Sequence, residues 1–261
     1  MRRWTSLFGL SVVGLMSIAA PVLAADLSPK IYTKAPPVAA TTYNWSGCYA
    51  GIEGGGAWGH TRSVGLGTNN GLPAAIPTGT PKSATDFSGG LVGGTLGCNY
   101  QVNQWVFGIE GDGSWSTISG TSALVPPFSA TFRESLGQNW LATIRGRVGY
   151  AVTDTVLLYG TAGGAFADLR INEYSTVASA NAATETHTFS GWTAGAGVEW
   201  GFAPSWSAKV EYLYADLGKH NYFQFTSSGC CTYQSTHLID NIVRVGVNYH
   251  FNWPGALVAR Y

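Results

Sequence analysis

Charged residues are scarce in this chain, and long hydrophobic runs are absent beyond its first residues. Only 11% of the 261 residues are Asp, Glu, Lys or Arg, and the formal net charge is zero. Without an excess of basic residues the chain offers no electrostatic surface for nucleic acid. No segment after residue 24 approaches the roughly 18 consecutive apolar residues of a transmembrane helix, so any membrane crossing must be made by strands.

Glycine and aromatic residues are, by contrast, abundant. The chain has 35 glycines, and 13% of its residues are Phe, Trp or Tyr. This combination with few charges is unusual for a cytosolic enzyme and is typical of a β-barrel that faces lipid. The length fits one large all-β domain.

The N-terminal region has the features of an exported protein. Arg2 and Arg3 form a basic start, residues 7–18 are an apolar run, and small residues end at Ala24. This pattern predicts a signal peptide over residues 1–24 with cleavage after Ala24, because the run is shorter than the roughly 20 residues of a membrane-spanning helix. The proline-rich residues 25–45 are predicted to form a flexible periplasmic linker.

The segment Gln138–Ala151 has the clearest alternation in the chain. Every second residue from Trp140 to Tyr150 is apolar or glycine, and Arg145 and Arg147 lie on the opposite face. Alternation with period two predicts a β-strand with two unlike faces. The aromatic ends and the opposed arginines favour a lipid-facing outside and a packed polar inside.

Eight segments share this alternation, and only the fifth is ambiguous in its faces. The segments are Gly47–Gly59, Gly89–Gln101, Trp105–Thr117, Gln138–Ala151, Thr155–Asp168, Thr188–Phe202, Trp206–Leu217 and Asp240–Phe251. Three connections are short, and four are long: His60–Ser88, Ile118–Gly137, Leu169–His187 and Gly218–Ile239. We therefore predict an all-β fold, an eight-stranded antiparallel transmembrane β-barrel over residues 46–251. Short turns would be periplasmic and long loops extracellular, and residues 252–261 would form a C-terminal tail.

Outward aromatic residues support this arrangement because they fall at two levels. One set lies at the short-turn ends of the strands, and Trp58, Trp115, Trp140 and Trp192 lie about ten residues further along. At ~3.3 Å per residue and a tilt of ~40°, this separation is roughly 25 Å, the height of the apolar band of an outer-membrane barrel.

Several motifs resemble those of the alphaproteobacterial small outer-membrane β-barrel proteins, often labelled porin-family or opacity-like. They are Lys34–Pro37, Asn44–Gly51, Gly97–Gln101, Gly108–Asp112 and Arg244–Phe251. The resemblance implies insertion by the outer-membrane assembly machinery of a Gram-negative cell, in contact with lipid and lipopolysaccharide. Some members bind haemin or act at host surfaces. The chain departs from the family in having Cys48 and Cys98 at positions usually aromatic and ten residues after Phe251, so both Phe251 and Tyr261 are candidates for the end of the assembly signal.

Charged residues of both signs fall on the inward faces of the predicted strands. They are Glu53, Glu110, Asp112, Arg145, Arg147, Glu199, Lys209, Glu211 and Arg244. An eight-stranded barrel has a bore just filled by side chains, so these charges must pair or cost several kcal/mol each. They predict either a structural plug that fixes strand register or, as the alternative, an ion path gated by salt bridges.

Histidines and cysteines supply the remaining candidate sites. His60, His187, His220 and His237 fall at the loop ends of strands and could ligate a metal or haem on one rim, although their spacing matches no compact motif and solvated loop residues are the alternative. Cys48 and Cys98 lie on neighbouring strands in an oxidising compartment, which allows a disulfide or two lipid-facing thiols. The partners of Cys230 and Cys231 cannot be derived from the sequence.

These patterns favour a non-enzymatic outer-membrane protein that supports envelope integrity and presents surface loops, without a cofactor or a bound metal. The alternatives are a small-solute channel and a surface protein that binds haemin or metal. An enzymatic role has weak support, since only Glu185, His187 and Ser190 cluster in the sequence and no orientation for nucleophilic catalysis can be argued.

Overall fold

The fold is a closed barrel of eight antiparallel strands, as predicted. The computed structural model describes residues 43–67, 77–128, 131–177, 182–224 and 233–251. The strands are β1 Gly47–Gly65, β2 Thr80–Val102, β3 Trp105–Ala123, β4 Phe132–Thr153, β5 Val156–Ser175, β6 Ala182–Ala203, β7 Trp206–Tyr222 and β8 Gln234–Phe251. The predicted signal peptide, most of the linker, the C-terminal tail, Cys230, Cys231 and Tyr261 lie outside the described residues.

Each strand pairs with its neighbour in sequence, and β1 pairs with β8 to close the ring. The closing register runs from Cys48 opposite Phe251 to Gly65 opposite Gln234. The strands β2–β3, β4–β5 and β6–β7 are joined by two-residue turns, and Asn103 in the first of these turns has a positive φ of 55°. Asparagine tolerates this left-handed conformation better than most residues, which suits it to a tight hairpin.

The strands extend well beyond their predicted ends on the side of the long connections, here called the long-loop end. The four long loops were predicted too long, because β1 continues to Gly65 and β5 continues to Ser175. Beyond the apolar band the outward side chains no longer face lipid, so the hydrophobic alternation ends there. The inward side chains still fill the bore, as buried Ile171 shows. Packing inside the barrel therefore sustains the strands where the sequence pattern fades.

The outer wall is apolar between the two aromatic levels. Ile52, Leu96 and Ile109 are among its most exposed side chains, at 75%, 67% and 68% exposure. Trp115 and Trp140 are register partners at the aromatic level nearer the long loops, here called the upper level. Trp105 and Tyr150 are register partners at the level of the short turns. Among the described residues no helix is long and apolar enough to cross a membrane. Exposed apolar surface on this scale requires a lipid environment.

A bulge in β4 changes which residues face the bore. The register with β5 shifts between Gly137 and Leu141. The carboxylate of Asp168 accepts hydrogen bonds from the backbone N–H groups of Asn139, at 2.8 Å, and Trp140, at 2.9 Å. These bonds satisfy donors that the ladder leaves unpaired. The bulge switches the inward positions of β4 from odd numbers on its short-turn side to even numbers on its long-loop side.

Candidate functional site

The short-turn half of the bore contains a network of buried ion pairs. All nine predicted inward charges lie there, and none is more than 8% exposed. Arg145 on β4 contacts Glu110 at 2.6 Å, Asp112 at 2.9 Å and Glu211 at 2.9 Å. Each carboxylate comes from a strand that the closed register brings to the same level. We call these nine residues the charge layer.

Arg244 occupies the equivalent position on the other side of the bore. Its guanidinium contacts Glu53 at 2.5 Å, Asp112 at 2.8 Å and Glu211 at 2.9 Å. Lys209 lies between Glu53 and a carboxylate from β3, at 3.2 Å from each. The arginines and the lysine thus share carboxylates rather than forming isolated pairs, which supplies the hydrogen bonds that buried charges need.

Arg147 completes the charge layer nearest the turns. It forms an ion pair with Glu199, and its guanidinium lies 3.7 Å from the ring centroid of Tyr159. Tyr159 in turn covers Gly197, where a Cβ atom would lie 2.5 Å from the tyrosine ring. Only glycine leaves room for the ring at this position, so a glycine on β6 allows a large inward side chain on β5.

Aromatic residues close the bore at the short-turn end. Trp45 is fully buried, and Tyr43 is 6% exposed. Their rings pack against His250, at centroid distances of 6.1 Å and 5.7 Å. Residues 43–45, which were predicted to be part of the flexible linker, instead enter the mouth of the barrel, because their two aromatic rings pack there. We call Tyr43, Trp45 and His250 the aromatic mouth.

A serine, a histidine and a glutamate meet beside this mouth. Ser207 Oγ donates a hydrogen bond to Glu199 Oε1 at 2.5 Å and lies 2.9 Å from His250 Nε2. All three residues are buried, and Glu199 Oε1 lies 3.5 Å from His250 Nε2, the nitrogen that also faces Ser207, whereas His250 Nδ1 has no partner among the described residues. This arrangement lacks the relay and the substrate access of a nucleophilic site.

Directly above the charge layer the bore is mainly apolar, contrary to the predicted polar inside, and the buried hydrogen bond from Gln138 to Asp240 lies within this part. Leu213 and Ile242 are register partners on β7 and β8 and are fully buried. The larger buried members of this group, here called the apolar layer, are Phe87, Leu91, Ile118, Leu136, Leu141, Leu169, Ile171, Phe189, Leu213, Leu217, Tyr222, Phe223, Leu238 and Ile242. Alternation assigns Leu141, Leu213 and Ile242 the same parity as Arg145, Glu211 and Arg244, but the prediction of a polar inside considered only the charged members of these faces.

A second polar layer lies above the apolar layer, beyond the upper aromatic level. Lys82 forms a buried ion pair with Glu173 at 2.5 Å. Burial raises the pKa of Glu173, and the adjacent ammonium of Lys82 opposes that rise. Glu134 accepts hydrogen bonds from Ser83 Oγ and Gln234 Nε2, both at 3.1 Å. The bore is therefore filled by four successive layers, namely aromatic, charged, apolar and polar.

The structure does not bring the four candidate histidine ligands together. His187 and His220 point toward the bore, with ring centroids 4.3 Å apart. His60 and His237 lie on the outward face of β1 and β8, where His237 Nε2 is 2.8 Å from Asp216 Oδ1. Within the described ranges, no group of three or more His, Cys, Asp or Glu could hold a metal ion.

The remaining predicted residues also have definite positions. Cys48 and Cys98 are register partners on β1 and β2 and are joined by a disulfide on the outer wall. His187 Nε2 lies 3.3 Å from Glu185 Oε2, with both side chains turned inward. Ser190 is exposed on the opposite face of β6, so it cannot act with these two groups.

Comparisons with known proteins agree with this architecture. A family model described as "Outer membrane protein beta-barrel domain" matches residues 10–251. The chain is 31% identical over 255 residues to a 31 kDa outer-membrane immunogenic protein of Brucella melitensis biotype 1, covering 91% of this chain and 98% of the relative. It is 29% identical over 255 residues to a 25 kDa outer-membrane immunogenic protein of Brucella abortus biovar 1, covering 96% and 100%. The crystal structure of OprG from Pseudomonas aeruginosa aligns with a TM-score of 0.52 and 13% identity, covering 80% of this chain and 99% of OprG.

Proposed function

Because this chain belongs to the family of small alphaproteobacterial outer-membrane β-barrel proteins, we propose that it is a non-enzymatic, non-conducting barrel. In this role it supports the outer membrane and presents its long loops outside the cell. The observation that carries the proposal is a bore filled at every level by packed side chains. Short turns would then face the periplasm, as in other barrels of this membrane.

The layers of the bore argue against the channel alternative. An ion would have to displace the paired groups around Arg145 and Arg244, which are buried and hydrogen-bonded. It would then have to cross the apolar layer, where an unpaired charge costs several kcal/mol. The aromatic mouth adds a third closure, since Trp45 is fully buried there. Together these features favour a closed, non-conducting barrel over a channel.

The relatives support the surface role. Two of them are named outer-membrane immunogenic proteins, which is consistent with parts that reach the outside of a cell. The haemin alternative receives less support, because its four candidate histidines are divided between the bore and the outer face. Display of loops requires no chemistry from the barrel, only a stable support.

Planar-bilayer recording tests the non-conducting role. The refolded protein should give current at the background level, and Trp45→Ala should also remain near background because the charge layer and the apolar layer persist. Discrete conductance steps in the unmodified protein, altered in Arg145→Ala, would establish the channel instead. Heat-modifiable migration on gels confirms that each sample is folded before recording.

The supporting and display roles need experiments in cells. A strain that lacks the protein should become more sensitive to bile-salt detergent, and the intact gene should restore resistance. An epitope inserted after Thr78, in the β1–β2 connection, should be detected by antibody on intact cells. The same epitope after Asp154, in a short turn, should be detected only after permeabilisation. Unchanged sensitivity or the reverse labelling pattern would overturn the respective role.

A further inference from the structure

Outward-facing arginine and lysine residues occur only at the long-loop end of the described barrel. They are Arg62, Arg133, Arg170 and Lys219. The other described arginines and lysines are buried in the bore. The exposed cations of the outer wall thus lie beyond the aromatic level nearer the long loops and not beyond the other level. This distribution suits a membrane whose two surfaces differ in charge.

Two of these cations lie in a row with a histidine. His237 on β8 is the register partner of Arg62 on β1 and also of Lys219 on β7. Register partners have Cβ atoms about 5 Å apart, so three basic side chains stand side by side across three adjacent strands. We call Arg62, His237 and Lys219 the basic row.

The height of the basic row places it at the membrane surface. Arg62 is on the same face of β1 as Trp58, which is 48% exposed at the upper aromatic level, and lies four residues further along. With strand rise and tilt this is about 10 Å above the ring of tryptophans. Long arginine and lysine side chains can bend back from there toward lipid headgroups.

Two charges of the basic row remain uncompensated within the described residues. Asp216 is paired with His237 at 2.8 Å. No ion pair involves Arg62 or Lys219 in the described part of the chain, and both are exposed. The other nearby acid, Asp86, is the register partner of His60 rather than of the row. Arg62 and Lys219 are therefore two exposed cations on either side of a histidine that already contacts an acid.

We propose that the basic row binds a phosphate group of a phosphorylated glycolipid in the outer leaflet. Arginine offers a planar fork of donors for phosphate oxygens, and lysine adds a point charge. The assignment to the outer leaflet rests on the orientation proposed above, whereas the phosphate chemistry rests on the row itself.

Arg133 and Arg170 provide a matched comparison. They are exposed on neighbouring strands, but Arg133 is opposite Tyr174 whereas Arg170 is opposite Gly137. They are therefore separated along the strands instead of lying in one row. Replacing this pair removes the same charge from the same end of the barrel without changing the basic row.

Titration of the refolded protein in detergent micelles with bisphosphorylated lipid A, followed by native mass spectrometry, tests the proposal. The Arg62→Ala/Lys219→Ala variant should bind about thirtyfold more weakly, given the usual contribution of each basic residue near an anionic surface. The Arg133→Ala/Arg170→Ala variant should stay within about twofold of the unmodified protein. Lipid A stripped of its phosphates should bind as weakly to the unmodified protein as the phosphorylated form binds to Arg62→Ala/Lys219→Ala.

Equal losses in the two double variants, or equal binding of stripped and phosphorylated lipid A, would overturn the proposal. Competition by inorganic phosphate at low millimolar concentration would also overturn it, because the site would then recognise free phosphate. The measurement is independent of orientation, which the epitope experiment tests separately. All four positions are exposed, and heat-modifiable migration verifies that both variants are folded.

Discussion

The two halves of the bore are filled by opposite kinds of side chain within the same ring of strands. In the short-turn half, Arg145 and Arg244 hold carboxylates from several strands in directional contacts. In the apolar layer above it, leucine, isoleucine and phenylalanine fill most of the same cross-section with non-directional packing. A barrel interior can therefore be closed by ion pairs or by apolar packing, and this chain has one directly above the other.

The difference has an energetic consequence. Each arginine of the charge layer compensates several buried carboxylates, so its loss leaves charges without partners. A leucine of the apolar layer balances no charge, so its loss leaves only a cavity that neighbouring side chains can partly fill. The charge layer should therefore be the more sensitive half to single substitutions.

Arg145→Met should produce the largest loss of stability, about 3–5 kcal/mol, because Glu110, Asp112 and Glu211 lose their shared cation. Urea unfolding of the refolded protein in micelles measures this change. Arg62→Met removes an exposed arginine and should shift the free energy of unfolding by less than about 0.5 kcal/mol. A loss below about 1 kcal/mol in Arg145→Met would contradict the role of the charge layer.

Leu213→Ala should cost about 3 kcal/mol, since it removes a fully buried side chain from the apolar layer. Val210→Ala, on the lipid-facing side of the same strand with 55% exposure, is the control and should cost much less. The comparison between the halves fails if Leu213→Ala proves more damaging than Arg145→Met in the same urea titration.

Replacing both cysteines, Cys48→Ser with Cys98→Ser, should cost about 2 kcal/mol. The disulfide is on the outer wall, so its removal acts mainly through the unfolded chain and should leave both halves of the bore intact. A reducing agent should lower the stability of the unmodified protein to the level of the variant. Altered tryptophan emission in the folded variant would show instead that the disulfide shapes the barrel.

Ser83→Ala should have the smallest effect, about 1 kcal/mol, by removing a hydrogen bond to the buried carboxylate of Glu134. This carboxylate keeps a bond from Gln234, which limits the loss. Ser88→Ala, on the exposed face of the same strand, should be neutral. Thermal unfolding of the three proteins side by side resolves this difference, and equal melting temperatures would contradict it.

Much of this architecture follows from alternation along the sequence. Arg145 and Arg147 could be placed inside because their neighbours on the strand are apolar and aromatic residues with the opposite parity. The short turns were predicted for the same reason, since the pattern stops and resumes within a few residues. The contrast between polar and apolar residues is strong wherever one face of a strand contacts lipid and the other contacts buried charges, and there it predicts which side chains point inward.

The apolar layer was only partly predictable in this way. Parity places Leu213 inside with Glu211 and Val210 outside, but both are aliphatic, so hydrophobicity alone does not show where the polar filling of the bore ends. The bulge at Asn139 and Trp140 changes parity without a distinct sequence signal, because Asp168, which stabilises it, is on another strand. Such features depend on contacts between distant segments rather than on local pattern.

The strands extend far beyond the tryptophans of the aromatic level nearer the long loops, so the barrel projects well above the membrane. From Gly164, which is opposite Trp192, β5 continues to Ser175. This rise is roughly 28 Å, which is comparable to the thickness of the apolar band in the membrane. The buried ion pair of Lys82 and Glu173 stabilises the interior of this projecting part. The projecting part holds the ends of the long loops away from the lipid headgroups. With the long loops outside the cell, as proposed above, an antibody or a neighbouring cell would contact this rigid projecting end of the barrel before the lipid surface.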